Sequence, residues 1–201
     1  MLAMRRLGLM LALGGALAVI SGCGVRSLPK GKNEVEATLA EITNQYKRRA
    51  DLIPNLVQTV KGYAAHESET LQAVVEARAA ATATRIDPAN LDAGQIQKFQ
   101  AAQGSLSQAL GRLMVVVEKY PDLKADRNFR ELQAQLEGTE NRIAVARNRY
   151  IQSVQDFNMT VRRFPTNLTA KIFGHDVKPT FEVEDEAALA QPPTVEFGDD
   201  N

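Results

Sequence analysis

The chain has 201 residues with 24 basic and 24 acidic side chains, so its formal net charge is zero. That balance argues against a nucleic-acid-binding protein, because such proteins usually carry a basic excess that neutralises phosphates. The single cysteine excludes a framework of intramolecular disulfides.

The N-terminal segment has the anatomy of a secretory signal. Arg5 and Arg6 stand before an apolar run of 13 residues, Leu7 to Val19. This run is short for a membrane-spanning helix, which needs about 20 apolar residues. We therefore expect the segment to be removed from the mature protein. A permanently inserted helix is the alternative.

The next four residues, Ile20 to Cys23, resemble the bacterial lipobox: an aliphatic residue, two small residues and a cysteine. The resemblance implies cleavage between Gly22 and Cys23 and acylation of Cys23, and acyl chains on that residue would tether the protein to a bilayer. An ordinary cleaved signal that ends near a cysteine is the alternative. In a host with two membranes, Gly24 in place of aspartate would allow sorting to the outer membrane.

Long helices are predicted for the body of the chain, where glycine and proline are scarce. Apolar residues step by threes, fours and sevens from Val35 to Val74, which predicts one helix over about 34–83. Pro54 lacks a backbone N–H and clashes with the preceding turn, so we expect a kink or a short break near Ala50–Ile53.

A second helix is predicted after a loop at about 84–93, and Pro121 ends it. Its inward positions are Ile96, Phe99, Leu106, Leu110, Leu113, Val117 and Tyr120. A third helix, 127–163, has large apolar residues every seven positions: Phe129, Leu136, Ile143, Tyr150, Phe157 and Phe164. Such a repeat favours coiled-coil-like packing against neighbouring helices.

A short helix, Asn167–Phe173, closed by Gly174, is predicted to end the body. The fold class is therefore all-α: an elongated antiparallel up-and-down bundle of three long helices plus the short one. The remaining chain, 176–201, has eight acidic residues and one basic residue, which is typical of a disordered tail. The expected segments are a signal peptide at 1–22, a lipidated cysteine and linker at 23–33, the bundle at 34–175 and the tail at 176–201.

A polar pair repeats one heptad apart in the third helix, as Asn141–Arg142 and Asn148–Arg149. We interpret these four residues as a candidate interaction patch beside the apolar seam, able to receive a peptide, a lipid headgroup or a partner helix. The structural alternative is that they hydrogen-bond to the first helix and fix the register between the two. The expected acceptors and donors there are Lys47, Arg48, Asp51 and Asn55.

Three segments resemble the signature segments of the LemA family, and their order and spacing also match: Lys47–Glu67, Asn141–Tyr150 and Arg162–Leu168. The resemblance extends over about Val35–Glu182. It implies a helical bundle tethered to a bacterial membrane, with no established biochemical activity. The chain departs from the family pattern at Glu36–Leu39, where many relatives carry a tryptophan, and in having a lipobox where many relatives have an uncleaved anchor.

No catalytic, metal or cofactor site is predicted. His66 and His175 lie in different segments, and His66-Glu67 lacks the second histidine of the zinc motif. We therefore predict a noncatalytic helical scaffold or protein-interaction module of the cell envelope, anchored through Cys23 with its body exported. Unidentified envelope proteins are the expected partners, with no nucleic acid and no small-molecule substrate. The alternative function is an accessory factor to an envelope protease or to a transport or export step.

Overall fold

The computed structural model describes residues 2–88 and 91–181, and it describes side chains from Val25 onward within those ranges. Six helices form there, and the described residues contain no strand, so the all-α expectation is confirmed. The helices are α1 Leu2–Tyr63, α2 Ser68–Ala83, α3 Ala93–Val117, α4 Pro121–Ala125, α5 Arg127–Arg162 and α6 Thr166–Phe173. Among the described residues, no helix combines the length and the apolar character needed to cross a membrane.

Helix α5 runs antiparallel to α1 along the length of the body. At one end the Tyr63 hydroxyl donates to the Asp126 carboxylate at 3.0 Å, and toward the other end the hydroxyls of Thr38 and Ser153 lie 2.8 Å apart. Helix α2 turns back along α1, and α3 turns back along α2. From its first core residue, Leu28, to Tyr63, α1 has 36 residues rising 1.5 Å each, or about 54 Å, so the bundle is elongated.

Two hydrophobic clusters form the core and follow each other along the long axis of the bundle, which we call the rod. The upper cluster is the one nearer the N-terminus of α1, and the lower cluster is the one nearer its C-terminus. The lower cluster joins the C-terminal half of α1 to α2, α3 and the start of α5, and it contains Phe129 and Leu136. The upper cluster joins residues 28–46 of α1 to the start of α3, the second half of α5 and α6, and it contains Ile143, Tyr150 and Phe157. Five members of the predicted heptad seam are therefore core residues.

Phe164, the sixth member, is not a core residue, because its side chain is 71% exposed. Helix α5 ends at Arg162, two residues earlier. The heptad phase therefore no longer determines where the side chain points. The predicted short helix is confirmed at Thr166–Phe173, and Gly174 closes it in the left-handed conformation with φ 67°.

The break in the first long helix does not lie at Pro54. Helix α1 continues through Pro54 to Tyr63, and the chain turns at Ala64–Glu67. The missing N–H of Pro54 leaves the carbonyl oxygen of Ala50 without its helical donor. The Nε–H of Arg78 on α2 donates to that oxygen at 2.7 Å, so the cost of an interior proline is reduced by a bond from another helix.

The packed body is wider than the predicted range 34–175. Leu28 is 1% exposed in the upper cluster, so the segment predicted as a linker is part of α1 and of the core from that residue on. Phe181 is 2% exposed, so residues 176–181, predicted as the start of the tail, belong to the body as well. Residues 182–201 of the predicted tail lie outside the described residues.

Candidate functional site: an arginine cleft between α3 and α5

A charged residue, Arg49, occupies the apolar stripe of α1 at the junction of the two core clusters. It lies three residues after Tyr46 and four before Ile53, which places all three on the same face of the helix. Arg49 is 1% exposed. A buried guanidinium must be hydrogen-bonded and paired with a negative charge, because its desolvation is otherwise very costly.

The partners of Arg49 come from α3 and α5. Nη1 donates to the Glu140 carboxylate at 2.8 Å and to the Ser107 hydroxyl at 3.0 Å. Nη2 donates to the side-chain oxygen of Gln103 at 2.6 Å and to its backbone carbonyl at 3.3 Å. The guanidinium also lies 5.1 Å from the centre of the Tyr46 ring. Arg49 thus joins three helices through one side chain.

A second guanidinium, from Arg147, lies next to this network. Its Nη2 donates to the Tyr46 hydroxyl at 2.9 Å, and its central carbon is 5.8 Å from the centre of the Phe181 ring. The Nε atoms of both Arg49 and Arg147 are buried and have no hydrogen-bond partner among the described residues. Each is a donor whose burial carries a cost unless an acceptor reaches it.

The two guanidiniums line a cleft of about 270 Å³ between α3 and α5. Gln100, Gln103, Gln108 and Ser107 line the α3 side, and Glu140 lies on the α5 side. Ser107 and Glu140 also border an adjoining apolar pocket of about 300 Å³. That second pocket is lined by the apolar residues Leu110, Gly111, Met114 and Leu136 and, at its polar edge, by Gln133 and Glu137. We call the polar part the arginine cleft and the neighbouring part the apolar groove.

The arginine cleft carries more positive than negative charge. Glu140 is its one acidic lining residue, and that carboxylate already pairs with Arg49. Arg147 forms no ion pair among the residues described. A planar guanidinium matches the two oxygens of a carboxylate, so the free positive charge suits an acidic ligand group.

The predicted patch does not form the cleft. Asn141, Arg142, Asn148 and Arg149 are all exposed. Each residue advances 100° around a helix, so both asparagines lie about 140–160° from Ile143, nearly opposite the core. The structure therefore does not place the two asparagines beside the seam.

The predicted cross-links to Lys47, Arg48, Asp51 and Asn55 are also absent among the described residues. Arg149 instead pairs with Glu41 on α1, at 2.7 Å. Polar groups do join α5 to α1, as the structural alternative predicts, but most of the residues involved are different. The groups that do so are Glu140, Arg147, Arg149 and Ser153 on α5.

Sequence reasoning missed Arg49, Glu140 and Arg147, although one signal was present. Arg49 interrupts the series Ile42, Tyr46, Ile53 at a position whose spacing demands an apolar side chain. A charge at such a position indicates a buried pair, but not which residues on other helices complete it.

The structure describes no side chain before Val25, so the predicted cleavage between Gly22 and Cys23 and the acylation of Cys23 stay predictions. No group of three or more metal-ligating side chains (His, Cys, Asp or Glu) occurs among the described residues.

The model of the LemA family matches residues 38–197 of this chain. The chain belongs to the LemA family. That match covers both the arginine cleft and the end of the body at Phe181. The family relationship inferred from the three signature segments is therefore confirmed.

Individual relatives are more distant. Protein LemA of Metamycoplasma hominis is 24% identical over 144 residues, which is 72% of this chain and 62% of that protein. Magnetosome protein MamQ 2 of Paramagnetospirillum magneticum is 34% identical over 83 residues, 41% of this chain and 30% of the relative. Magnetosome protein MamQ of Magnetospirillum gryphiswaldense is 31% identical over a segment of the same length. This chain therefore aligns with less than a third of either magnetosome protein.

Proposed function

We propose that this LemA-family protein is a noncatalytic interaction module, tethered to a membrane, that binds an acidic segment of an envelope protein in the arginine cleft. The observation that carries this proposal is the pairing of charges in the cleft. Arg49 and Arg147 line the same cleft, whose one carboxylate, that of Glu140, pairs with Arg49. A carboxylate from a partner would balance the second guanidinium.

The apolar groove adds to the specificity of the proposed site. It continues from the arginine cleft along α3 and α5, and Gly111 presents no side chain into it. A β-carbon built on Gly111 would meet nothing within 4 Å, so this wall is open. A segment with an apolar side chain next to its acidic residue would fill both parts, and burial of the apolar group would contribute to its affinity.

The tether is proposed from the sequence of Ile20–Cys23. Cys23 precedes Leu28 by five residues in the same helix, or about 7.5 Å along its axis. Acylation of Cys23 would hold the α1 N-terminal end of the rod against a bilayer, and the arginine cleft would stand about 39 Å further along α1, at Arg49.

A photo-crosslinking residue at Gln108 tests the cleft, because Gln108 lines it and is exposed. Crosslinked partners from intact cells would be identified by mass spectrometry, with the same residue at exposed Gln152 as the control. We expect a Gln108-specific crosslink to an acidic segment, lost in the Arg147→Gln variant and lost when the partner's acid becomes its amide. Crosslinks that persist in folded Arg147→Gln protein would contradict the proposal.

The same experiment separates the two functions considered for the sequence. A partner that is itself a protease or a transporter would support the accessory role. A structural envelope protein would support the scaffold.

The tether is tested by Cys23→Ser. We expect the variant to accumulate as an unprocessed precursor and to incorporate no radiolabelled palmitate. Normal processing with palmitate still attached would refute acylation at Cys23. In a host with two membranes, membrane fractionation of Gly24→Asp beside the wild type tests the predicted sorting, since the aspartate should retain the protein at the inner membrane. Equal distribution of the two proteins would contradict it.

A further inference from the structure

Helix α6 has its large apolar side chains on the outside. Thr166, Thr169 and Ala170 face inward and are buried. Leu168 and Ile172, one helical turn apart on the outer face, are 48% and 79% exposed. Phe164, two residues before the helix, and Phe173, its last residue, are 71% and 61% exposed. We call these four exposed residues, Phe164, Leu168, Ile172 and Phe173, the α6 patch.

Basic side chains border the α6 patch. Arg162, Arg163 and Lys171 are exposed beside it. Between Asp156 and Asp176 the sequence contains no acidic residue. A cluster of exposed large apolar residues with a basic border is typical of a surface that contacts anionic lipid.

The α6 patch lies at the end of the rod that carries Cys23. Ala170 on the inner face of α6 shares the upper core cluster with Leu28 of α1. Leu28 is five residues from Cys23, or about 7.5 Å along α1. Arg26 and Lys30 are exposed on the same stretch of α1, and no acidic residue precedes Glu34 in the sequence.

We infer that the α6 patch inserts into the interfacial layer of an anionic bilayer, beside the N-terminal tether. Burial of the four apolar side chains supplies the attraction, and the basic residues of α1, α5 and α6 face the lipid phosphates. The contact would fix the orientation of the rod at the membrane, which a flexible acyl tether alone does not do. This inference rests on the proposed tether and is independent of the arginine cleft.

The absence of tryptophan from the chain permits a direct test. Ile172→Trp places one reporter in the α6 patch, and Val115→Trp places a matched reporter on α3, where Val115 is 68% exposed. Full-length protein of each variant would be purified from membranes and reconstituted into phosphatidylglycerol vesicles with brominated acyl chains. Flotation of both variants with the vesicles tests the tether, and quenching of tryptophan emission by bromine tests the α6 patch.

We expect the emission of Ile172→Trp to shift to the blue and to be quenched, while Val115→Trp remains unquenched. Arg162→Gln, Arg163→Gln and Lys171→Gln together should reduce the quenching of Ile172→Trp. Added salt should reduce the quenching in the protein that keeps these three basic residues, because salt screens exposed charges. Flotation without quenching of Ile172→Trp would overturn the inference and leave the tether intact. A blue shift that is indifferent to bromine would also overturn it, because residues 182–201 or a second copy would then cover the α6 patch.

Discussion

Gly31 of α1 lies directly against the side chain of Phe157 on α5. A β-carbon built on Gly31 would stand 3.0 Å from Cδ2 of that ring. That is closer than nine in ten real β-carbon contacts, so a side chain at residue 31 would require the buried Phe157 ring to move by a few tenths of an ångström. The contact lies inside the segment predicted as a linker, and it shows that tertiary packing continues toward the N-terminus.

Alanine substitution should therefore have opposite effects at two helical glycines. A β-carbon added to Gly138 of α5 would meet nothing within 4 Å, so Gly138→Ala should raise the free energy of unfolding by about 0.5–1 kcal/mol through helix propensity. Gly31→Ala should lower it, because the methyl group must displace the Phe157 ring. Urea denaturation monitored by circular dichroism measures both.

A smaller neighbour should relieve the Gly31 substitution. In a Phe157→Leu background, Gly31→Ala should cost less than in the wild type, which a double-mutant cycle would show as a favourable coupling energy. Equal gains in stability at Gly31 and Gly138 would show that the Phe157 ring accommodates the added methyl group without cost and would contradict this prediction.

The bond from Arg78 to the Ala50 carbonyl predicts a coupling with Pro54. Arg78→Ala should lower the free energy of unfolding by about 1–3 kcal/mol, because it leaves that carbonyl without a donor. In a Pro54→Ala background the loss should be smaller, since residue 54 then supplies its own N–H to the Ala50 oxygen. Identical losses in the two backgrounds, measured by urea denaturation, would show that Arg78 does not compensate for the proline.

The helical seam of α5 could be predicted because it depends on local spacing alone. Residues seven apart fall on nearly the same face of any helix, and Phe129 to Phe157 are core residues accordingly. The position of the break in the first helix could not be predicted in this way. Whether Pro54 interrupts a helix depends on a donor from Arg78, which lies 24 residues later in the chain.

The candidate site also combines a feature that local spacing reveals with contacts between residues that are distant in the sequence. The sequence marks Arg49 as a charge on an apolar stripe, but Gln103 and Glu140, which bind it, are 54 and 91 residues away. The repeated Asn-Arg pair is predicted as an interaction patch because its heptad spacing is visible in the local sequence. Its neighbour Arg147 enters the cleft instead, since it is rotated only about 40° from Ile143.

Arg49 and Arg48 are adjacent in sequence and should respond very differently to truncation. Arg49→Ala leaves Glu140, Gln103 and Ser107 without their donor and opens a cavity, so we expect a loss of about 3–5 kcal/mol. Arg48 is exposed, and Arg48→Ala should change stability by less than about 0.5 kcal/mol. Comparable losses for the two variants in urea denaturation would contradict the structural role assigned to Arg49.

Asp126, the N-cap of α5, should make stability depend on acid pH. The Phe129 N–H donates to its carboxylate at 2.8 Å and lowers the pKa of Asp126 below 3.8, and the Tyr63 hydroxyl acts in the same direction. A depressed pKa gives stabilisation that is complete above pH 3.8 and is lost as the pH falls through the lower, folded value.

Asp126→Asn keeps a capping oxygen but does not titrate. The difference in free energy of unfolding between wild type and this variant should therefore be constant near neutral pH and should shrink below pH 3.8. Tyr63→Phe removes one hydrogen bond to the carboxylate and should make this pH dependence shallower. A wild-type advantage that stays the same down to about pH 2 would show that the carboxylate is not held in its charged form.

Phe181 attaches the last described residues to the body and should be a major source of stability. Its ring centre lies 5.1 Å from that of Tyr150 and 6.5 Å from that of Phe99, and the Tyr150 hydroxyl, whose pKa is raised by burial, donates to the Pro179 carbonyl at 2.9 Å. Phe181→Ala should cost about 3–5 kcal/mol, because it empties a site enclosed by aromatic side chains.

Val177, four residues earlier and 45% exposed, is the matched control, and Val177→Ala should be nearly neutral. Phe181 also lies against the Arg147 guanidinium, so its removal should free that side chain and weaken crosslinking from Gln108 in the arginine cleft. Hydrogen exchange would distinguish local loosening around Phe181 from destabilisation of the whole body. Phe181→Ala should increase exchange of the α5 amides around Tyr150 while those around Leu136 stay protected. Unchanged stability in Phe181→Ala would mean that the body ends before residue 181, as the acidic composition of 176–201 predicts.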